Sequence, residues 1–212
     1  MEKRYLYLML SKTDTGVGRI IRTVSRFALN HVSMTLDPSF RNWVSFAHYA
    51  QDTTLYGGFV REPAERFLAK GYDVRVRIFR LEITEEKHRQ LVQPFARAGQ
   101  RDGVLLYNLF DAAASAFRKK VEIPGSYTCL SFACAVLGTR YQTIEELNDA
   151  LSDRLYYDGP LAAVAPDSGD RSDSYFTNLG LVRGLRSSAG NVRVLLRRML
   201  CPQSFDPGCY TL

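Results

Sequence analysis

Between Cys129 and Leu137 the chain reads Cys-Leu-Ser-Phe-Ala-Cys-Ala-Val-Leu, an apolar run stopped by Gly138. With one hydroxyl as its most polar side chain, such a run has no face to offer water and must be enclosed by the rest of the protein. Gly125-Ser126-Tyr127-Thr128 immediately precedes it. Ser and Thr are helix-capping residues and glycine is a helix stop, so the pattern predicts a buried helix whose first turn contains Cys129. Any fold this chain adopts has to supply a layer that covers that helix.

The N-terminal half carries the signals for such a layer. Residues 4–10 (Arg-Tyr-Leu-Tyr-Leu-Met-Leu) read as a buried strand. From His31 to Leu36, Val32, Met34 and Leu36 alternate with His31, Ser33 and Thr35. Asp37-Pro38-Ser39 supplies a turn, and Trp43 to Tyr49 reads as the return strand of a hairpin. Asp73 to Ile83 alternates as a half-exposed strand. Helical spacing runs from Val17 to about Asn30, with arginines on the opposite face, and a short helix is predicted over Pro63 to Ala69 after a bend at Gly57-Gly58. Capped helices are expected from Thr84 to about Ala98 and from Thr143 to about Leu151, with a further helical stretch over 105–117. The expected fold class is α+β, a small antiparallel sheet packed against the cysteine-bearing helix. Residues 1–165 would form the main domain. Residues 166–212, a polar loop and a basic amphipathic segment, would pack on that same domain.

Composition narrows the function. At 46% hydrophobic and 24% charged residues, the 212-residue chain is an ordinary globular protein, neither disordered nor a disulfide scaffold. A formal charge of +6 is a bias short of a nucleic-acid-binding domain. The apolar run near the N-terminus is cut short by Ser11, Lys12 and Asp14, too early for an export signal, and nothing approaches a membrane span. A cytoplasmic protein with reduced thiols is expected. No cysteine pair has zinc-site spacing, so neither metal nor cofactor is expected. Thr15-Gly16-Val17-Gly18-Arg19 lacks the lysine of a phosphate-binding loop and reads as a helix start.

Of three histidines, His88 sits among charged residues on a helix face and His31 opens an alternating strand. Of four cysteines, Cys134 lies in the interior of the apolar helix as a small buried hydrophobe, and Cys201 and Cys209 belong to the tail. Cys129 differs from these. At the first turn of a helix, unpaired N–H groups and the positive end of the dipole favour a thiolate, and a nearby imidazolium favours it further.

The segment Tyr127-Thr128-Cys129-Leu130-Ser131-Phe132 through Val136-Leu137 resembles the nucleophile helix of NlpC-type cysteine hydrolases, and Asn30-His31-Val32-Ser33-Met34-Thr35-Leu36-Asp37 is similar to their histidine strand. In the ordinary family the cysteine comes first. Here His31 precedes Cys129 by about a hundred residues, an order similar to the circularly permuted papain-like branch with the YiiX-type proteins and the lecithin:retinol acyltransferase group. Tyr107-Asn108-Leu109 adds to the likeness, which covers roughly residues 3–160. The resemblance implies Cys129 as nucleophile, His31 as base and the Cys129 backbone N–H as an oxyanion donor. It also implies a third polar residue that orients the histidine. A hairpin turn centred near Ser39–Phe40 would set His48 across from His31, while Ser45 and Glu62 are the alternatives.

The function expected on this basis is a thiol hydrolase cleaving an amide or peptide bond through an acyl-cysteine. The alternatives are a thiol acyltransferase or esterase acting on lipid esters, and a catalytically silent binding domain. Peptide or amide substrates are the expected partners, without nucleic acid or a transmembrane segment. The basic segment 181–200 is a candidate surface for anionic partners such as lipid head groups.

Overall fold

The computed structural model describes residues 3–12, 27–53, 55–68, 74–101, 103–115 and 117–205. The glycine turn at 15–19, most of the helix expected after it, and Cys209 fall outside them.

Eight strands form one sheet: β1 (Arg4–Ser11), β2 (His31–Thr35), β3 (Asn42–His48), β4 (Gly57–Pro63), β5 (Arg75–Ile83), β6 (Leu106–Tyr107), β7 (Ser126–Tyr127) and β8 (Leu155–Pro160). Their spatial order is β7-β6-β4-β3-β2-β1-β5-β8, antiparallel throughout except for the parallel β6–β7 pair. The fold is therefore mixed α+β, as the sequence leads one to expect, with twice the four strands legible there. Gly57 and Gly58 start β4 and do not form a bend. A Cβ on Gly58 would lie 2.5 Å from the Leu105 carbonyl oxygen, so glycine here is what lets the β6 side of the sheet close on β4.

Among the described residues, six α-helices accompany the sheet: α1 (Ala64–Leu68), α2 (Glu85–Ala96), α3 (Leu109–Ser115), α4 (Cys129–Leu137), α5 (Ile144–Ala150) and α6 (Leu181–Leu200). Three begin where a threonine was expected to cap them. Thr84, Thr128 and Thr143 each accept the backbone N–H three residues on. Gly138 ends α4 at φ 67°, a left-handed conformation that glycine adopts without penalty.

Strand β2 is buried on both faces. One face, with Val32 and Met34, joins Leu6, Leu8, Leu10, Val44 and Phe46 in a core cluster that receives α4 through Phe132, Ala133 and Val136. Phe132 packs 5.1 Å, centroid to centroid, from both Phe46 and Phe59, which fixes α4 across β3 and β4. On the other side of the sheet, Tyr7, Met9, Trp43, Val76 and Ile78 form a second cluster with α1 and Leu161. A third, smaller cluster joins Leu106, Ile123 and Leu195, so α6 closes on the β6 edge.

The segment between β8 and α6 is irregular but tied down. Asp173 takes hydrogen bonds from the Arg66 guanidinium, whose Nε is 2.9 Å away, and the same guanidinium lies 4.7 Å from the Tyr175 ring centroid. The Arg101 guanidinium donates to Ser174 Oγ at 2.6 Å. Residues 173–176 are thus strapped back over α1 and the loop after α2. Among the described residues, no helix is long and apolar enough to cross a membrane.

Candidate active site

Three elements far apart in the chain bring three reactive side chains together. His31 is the first residue of β2, Glu62 stands near the end of β4, and Cys129 opens α4. His31 Nε2 lies 3.0 and 2.9 Å from the two oxygens of Glu62. Ser33, two residues along β2 on the same face, donates its hydroxyl to Glu62 Oε2 at 2.6 Å. With the carboxylate accepting at Nε2, that nitrogen carries a hydrogen, and Nδ1 is left to serve another partner. The Cys129 sulfur lies close enough to the imidazole for its charge to act on the ring.

The electrostatics follow from burial and charge together. His31, Glu62 and Cys129 are 7%, 5% and 9% exposed. Burial alone would push the His31 pKa down, but the Glu62 carboxylate and the Cys129 sulfur outweigh it and raise it to about 10. Glu62 is the mirror case. Burial would raise its pKa, yet the His31 charge and the hydrogen bonds from His31 and Ser33 hold it below the usual carboxylate value. At neutral pH the arrangement is an imidazolium braced by a carboxylate on one side and facing sulfur on the other.

The helix start is itself supported from below. Thr128 Oγ1 accepts the Ser131 N–H at 3.1 Å while Ser131 Oγ accepts the Thr128 N–H at 2.8 Å, a reciprocal cap. Thr128 Oγ1 also donates to the buried Asp111 of α3 at 3.5 Å. Asp111 Oδ1 in turn accepts the Val121 N–H at 3.0 Å, and Asn108 Oδ1 accepts the Asp111 N–H at 2.9 Å. As the first helical residue, Cys129 has a backbone N–H without an intrahelical acceptor, directed ahead of the helix.

The structure brings together His31, Cys129 and Glu62; His48 was the expected orienting residue, with Ser45 and Glu62 as the alternatives, and it is Glu62 that meets the imidazole. The other two stand elsewhere. Ser45 donates to the Val32 carbonyl at 2.6 Å. His48 pairs with Gly57 in the sheet and packs edge-on against Tyr107, with centroids 5.5 Å apart. Its displacement is a matter of register. The β2–β3 pair is set by Met34 opposite Val44, and counting outward from it places Ala47, rather than His48, level with His31. One residue of slip is enough to turn a side chain away from its intended partner. Burial, and then the positive charge of His31, lower the His48 pKa to about 4, so it is neutral at physiological pH.

Tyr107 belongs to the site and was named from the sequence only as part of a resemblance. It stands on β6 beside Tyr127 of β7, two residues before Cys129. Burial, followed by the charge of Cys129 and of Asp111, raises its pKa, so its hydroxyl keeps its proton. The remaining cysteines are differently placed. Cys134 Sγ accepts the Tyr141 N–H at 3.3 Å, and Cys201 is exposed. Among the described residues, no group of three or more His, Cys, Asp or Glu side chains is arranged to hold a metal ion.

Comparison of the chain with protein-family models, with curated proteins and with solved structures finds no match.

Proposed function

We propose that this chain is a thiol hydrolase of the papain-like class in its circularly permuted form, cleaving an amide or peptide bond through an acyl-cysteine. One observation carries the reading: an imidazole held at Nε2 by a buried carboxylate stands beside a cysteine at the first position of a capped helix. A histidine placed only for packing would not need the Glu62 carboxylate, whose burial costs free energy unless it is paired.

The chemistry follows from these groups. The Cys129 thiolate attacks the substrate carbonyl carbon, and negative charge develops on the carbonyl oxygen. The backbone N–H of Cys129 and the positive end of α4 favour that charge. The His31 imidazolium gives its proton to the leaving nitrogen as the C–N bond breaks, leaving a thioester. Neutral His31 then takes a proton from water, whose oxygen attacks the thioester carbonyl and releases the acid and the thiolate. Glu62 stays ionised throughout and holds the ring in place.

Treatment of the intact protein with an electrophilic acyl mimic, followed by peptide mass mapping, tests the proposal. Modification concentrated at Cys129 and lost in His31→Ala is the expected result, with amide and ester substrate panels then compared. Equal labelling of Cys129 and the exposed Cys201, unaffected by His31→Ala, would overturn it.

A further inference from the structure

Helix α6 docks on the domain with the wrong face for a helix of its composition. The stripe that faces the domain consists of buried Gly184, Leu195 and Arg198 with half-buried Asn191. Gly184 lies against Thr53, where a Cβ would come 3.3 Å from Thr53 Cγ2. Asn191 Nδ2 donates to the Gly57 carbonyl at 3.0 Å, and Arg198 donates to the carbonyls of Val104, Gly125 and Gly103 at 2.9 to 3.2 Å. Only Leu195 is an apolar anchor, packed with Leu106 and Ile123. Amphipathic helices of globular proteins put their apolar stripe inside. This one is held by glycine, asparagine and arginine.

The other leucines are outside. Leu181 and Leu200 are each 78% exposed and Leu185 is 62% exposed. At 3.6 residues per turn, Leu181, Leu185, Val192, Leu196, Met199 and Leu200 fall within one sector of about 100°. The adjoining sector holds Arg183, Arg186, Arg193 and Arg197, all exposed. The helix contains no acidic residue. Around the cylinder, therefore, the order is the stripe that grips the domain, then an apolar ridge, then a row of arginines. The ridge runs the full helix, about 30 Å.

A second feature lies nearby in the fold. Phe117 is 78% exposed and is followed by Arg118, Lys119 and Lys120, also exposed. This tip leads into Val121 and Ile123, which pack with Leu195 of α6. Exposed apolar side chains beside positive charge thus recur at the edge of the molecule that α6 covers.

We propose that the exposed face of α6 is a docking surface for an anionic lipid bilayer, lying in the interface plane with the leucine ridge among the acyl chains and the arginines at head-group level. Each element of the face has a role there. The ridge removes apolar surface from water, arginine stems reach from the ridge edge to phosphate, and the absence of carboxylates avoids repulsion from anionic head groups. A nucleic acid would use the arginines and leave the ridge in water, and a second copy of the chain would bring a like-charged arginine row against this one. The inference does not depend on the chemistry at Cys129.

The test is co-sedimentation of the full chain with vesicles of phosphatidylcholine containing phosphatidylserine, against vesicles of phosphatidylcholine alone. Binding is expected to the anionic vesicles only and to weaken as salt is raised. The exposed pair Leu185→Glu with Leu196→Glu is expected to reduce it by about tenfold or more, and Arg186→Gln with Arg193→Gln to weaken it and flatten its salt dependence. Circular dichroism and the thermal midpoint serve as folding controls, with Leu185→Ser and Leu196→Ser as a milder pair. The same binding is expected of Cys129→Ser, which separates this result from the fate of the hydrolase reading. Protein that stays in the supernatant with anionic vesicles overturns the proposal. So does vesicle binding indifferent to the leucine changes, a dimer abolished by those changes without vesicle binding, or nucleic-acid binding as the only activity of the arginines.

Discussion

Glu62 is the residue on which the electrical state of the site turns. A buried carboxylate 2.9 Å from His31 Nε2 keeps the imidazole charged well above its ordinary value of 6.5, up to about 10. Glu62→Gln retains a hydrogen-bond acceptor but removes the charge, leaving burial as the dominant influence. The His31 titration, followed by proton NMR, should then fall from about 10 to the ordinary range or below it. The rate of Cys129 labelling should drop by about tenfold or more. A titration that stays near 10 in Glu62→Gln would reassign the source of the charge. The pair's contribution to stability has a defined window. The His31 part is complete below 6.5 and is lost as pH rises through about 10. The Glu62 part is present above 4.5 and is lost as the carboxylate protonates on the acid side. His48 works with the opposite sign, because it is neutral when folded and takes a proton when unfolded. Stability should decline by about 3 kcal/mol as pH falls from 6.5 to about 4, and His48→Gln, measured by urea unfolding across that range, should remove most of this slope.

At the scale of elements, the start of α4 is where local sequence and the geometry of the candidate site coincide. Thr128 caps the helix and hydrogen-bonds Asp111, so Thr128→Val removes both links and is expected to cost about 1–2 kcal/mol in thermal or denaturant unfolding. It should also slow Cys129 labelling, and Thr128→Ser should restore both. The capped helices were legible in the sequence because a cap is a local event: Thr84, Thr128 and Thr143 each sit within three residues of the group they satisfy. Half of the strands were not. β6 and β7 are two residues long and carry no periodicity, while β8 (Leu-Tyr-Tyr-Asp-Gly-Pro) contains the residues that usually end strands. The Gly-Gly pair that opens β4 looks like a turn until the close approach of the Leu105 carbonyl explains it. The same limit applied to the site. His31 and Cys129 announce themselves by strand and helix context, whereas Glu62 is singled out only by the Met34–Val44 register and by a neighbouring strand.

On the scale of the whole molecule, amphipathicity along 181–200 was visible in the sequence, but the face that docks was not. That face is chosen by carbonyls on other elements. Arg198 is the centre of the arrangement, with hydrogen bonds to the carbonyls of Gly103, Val104, Pro124 and Gly125. These residues lead into β6, with Tyr107, and into β7, two residues ahead of Cys129. Arg198→Met would leave those carbonyls short of donors and is expected to destabilise the protein by about 2–4 kcal/mol in urea unfolding, with slower Cys129 labelling as a second readout. A loss confined to stability would mean that the turns ahead of the site hold their shape without the guanidinium. The helix that Arg198 secures is also held by Asn191 at Gly57 and preceded by a strap fastened at Arg66. A protease nick after Ala165 would therefore not shed an appendage. It would unfasten the margin of the sheet that leads into Cys129, and a fragment trimmed there should be recovered as aggregate, never as a smaller folded domain.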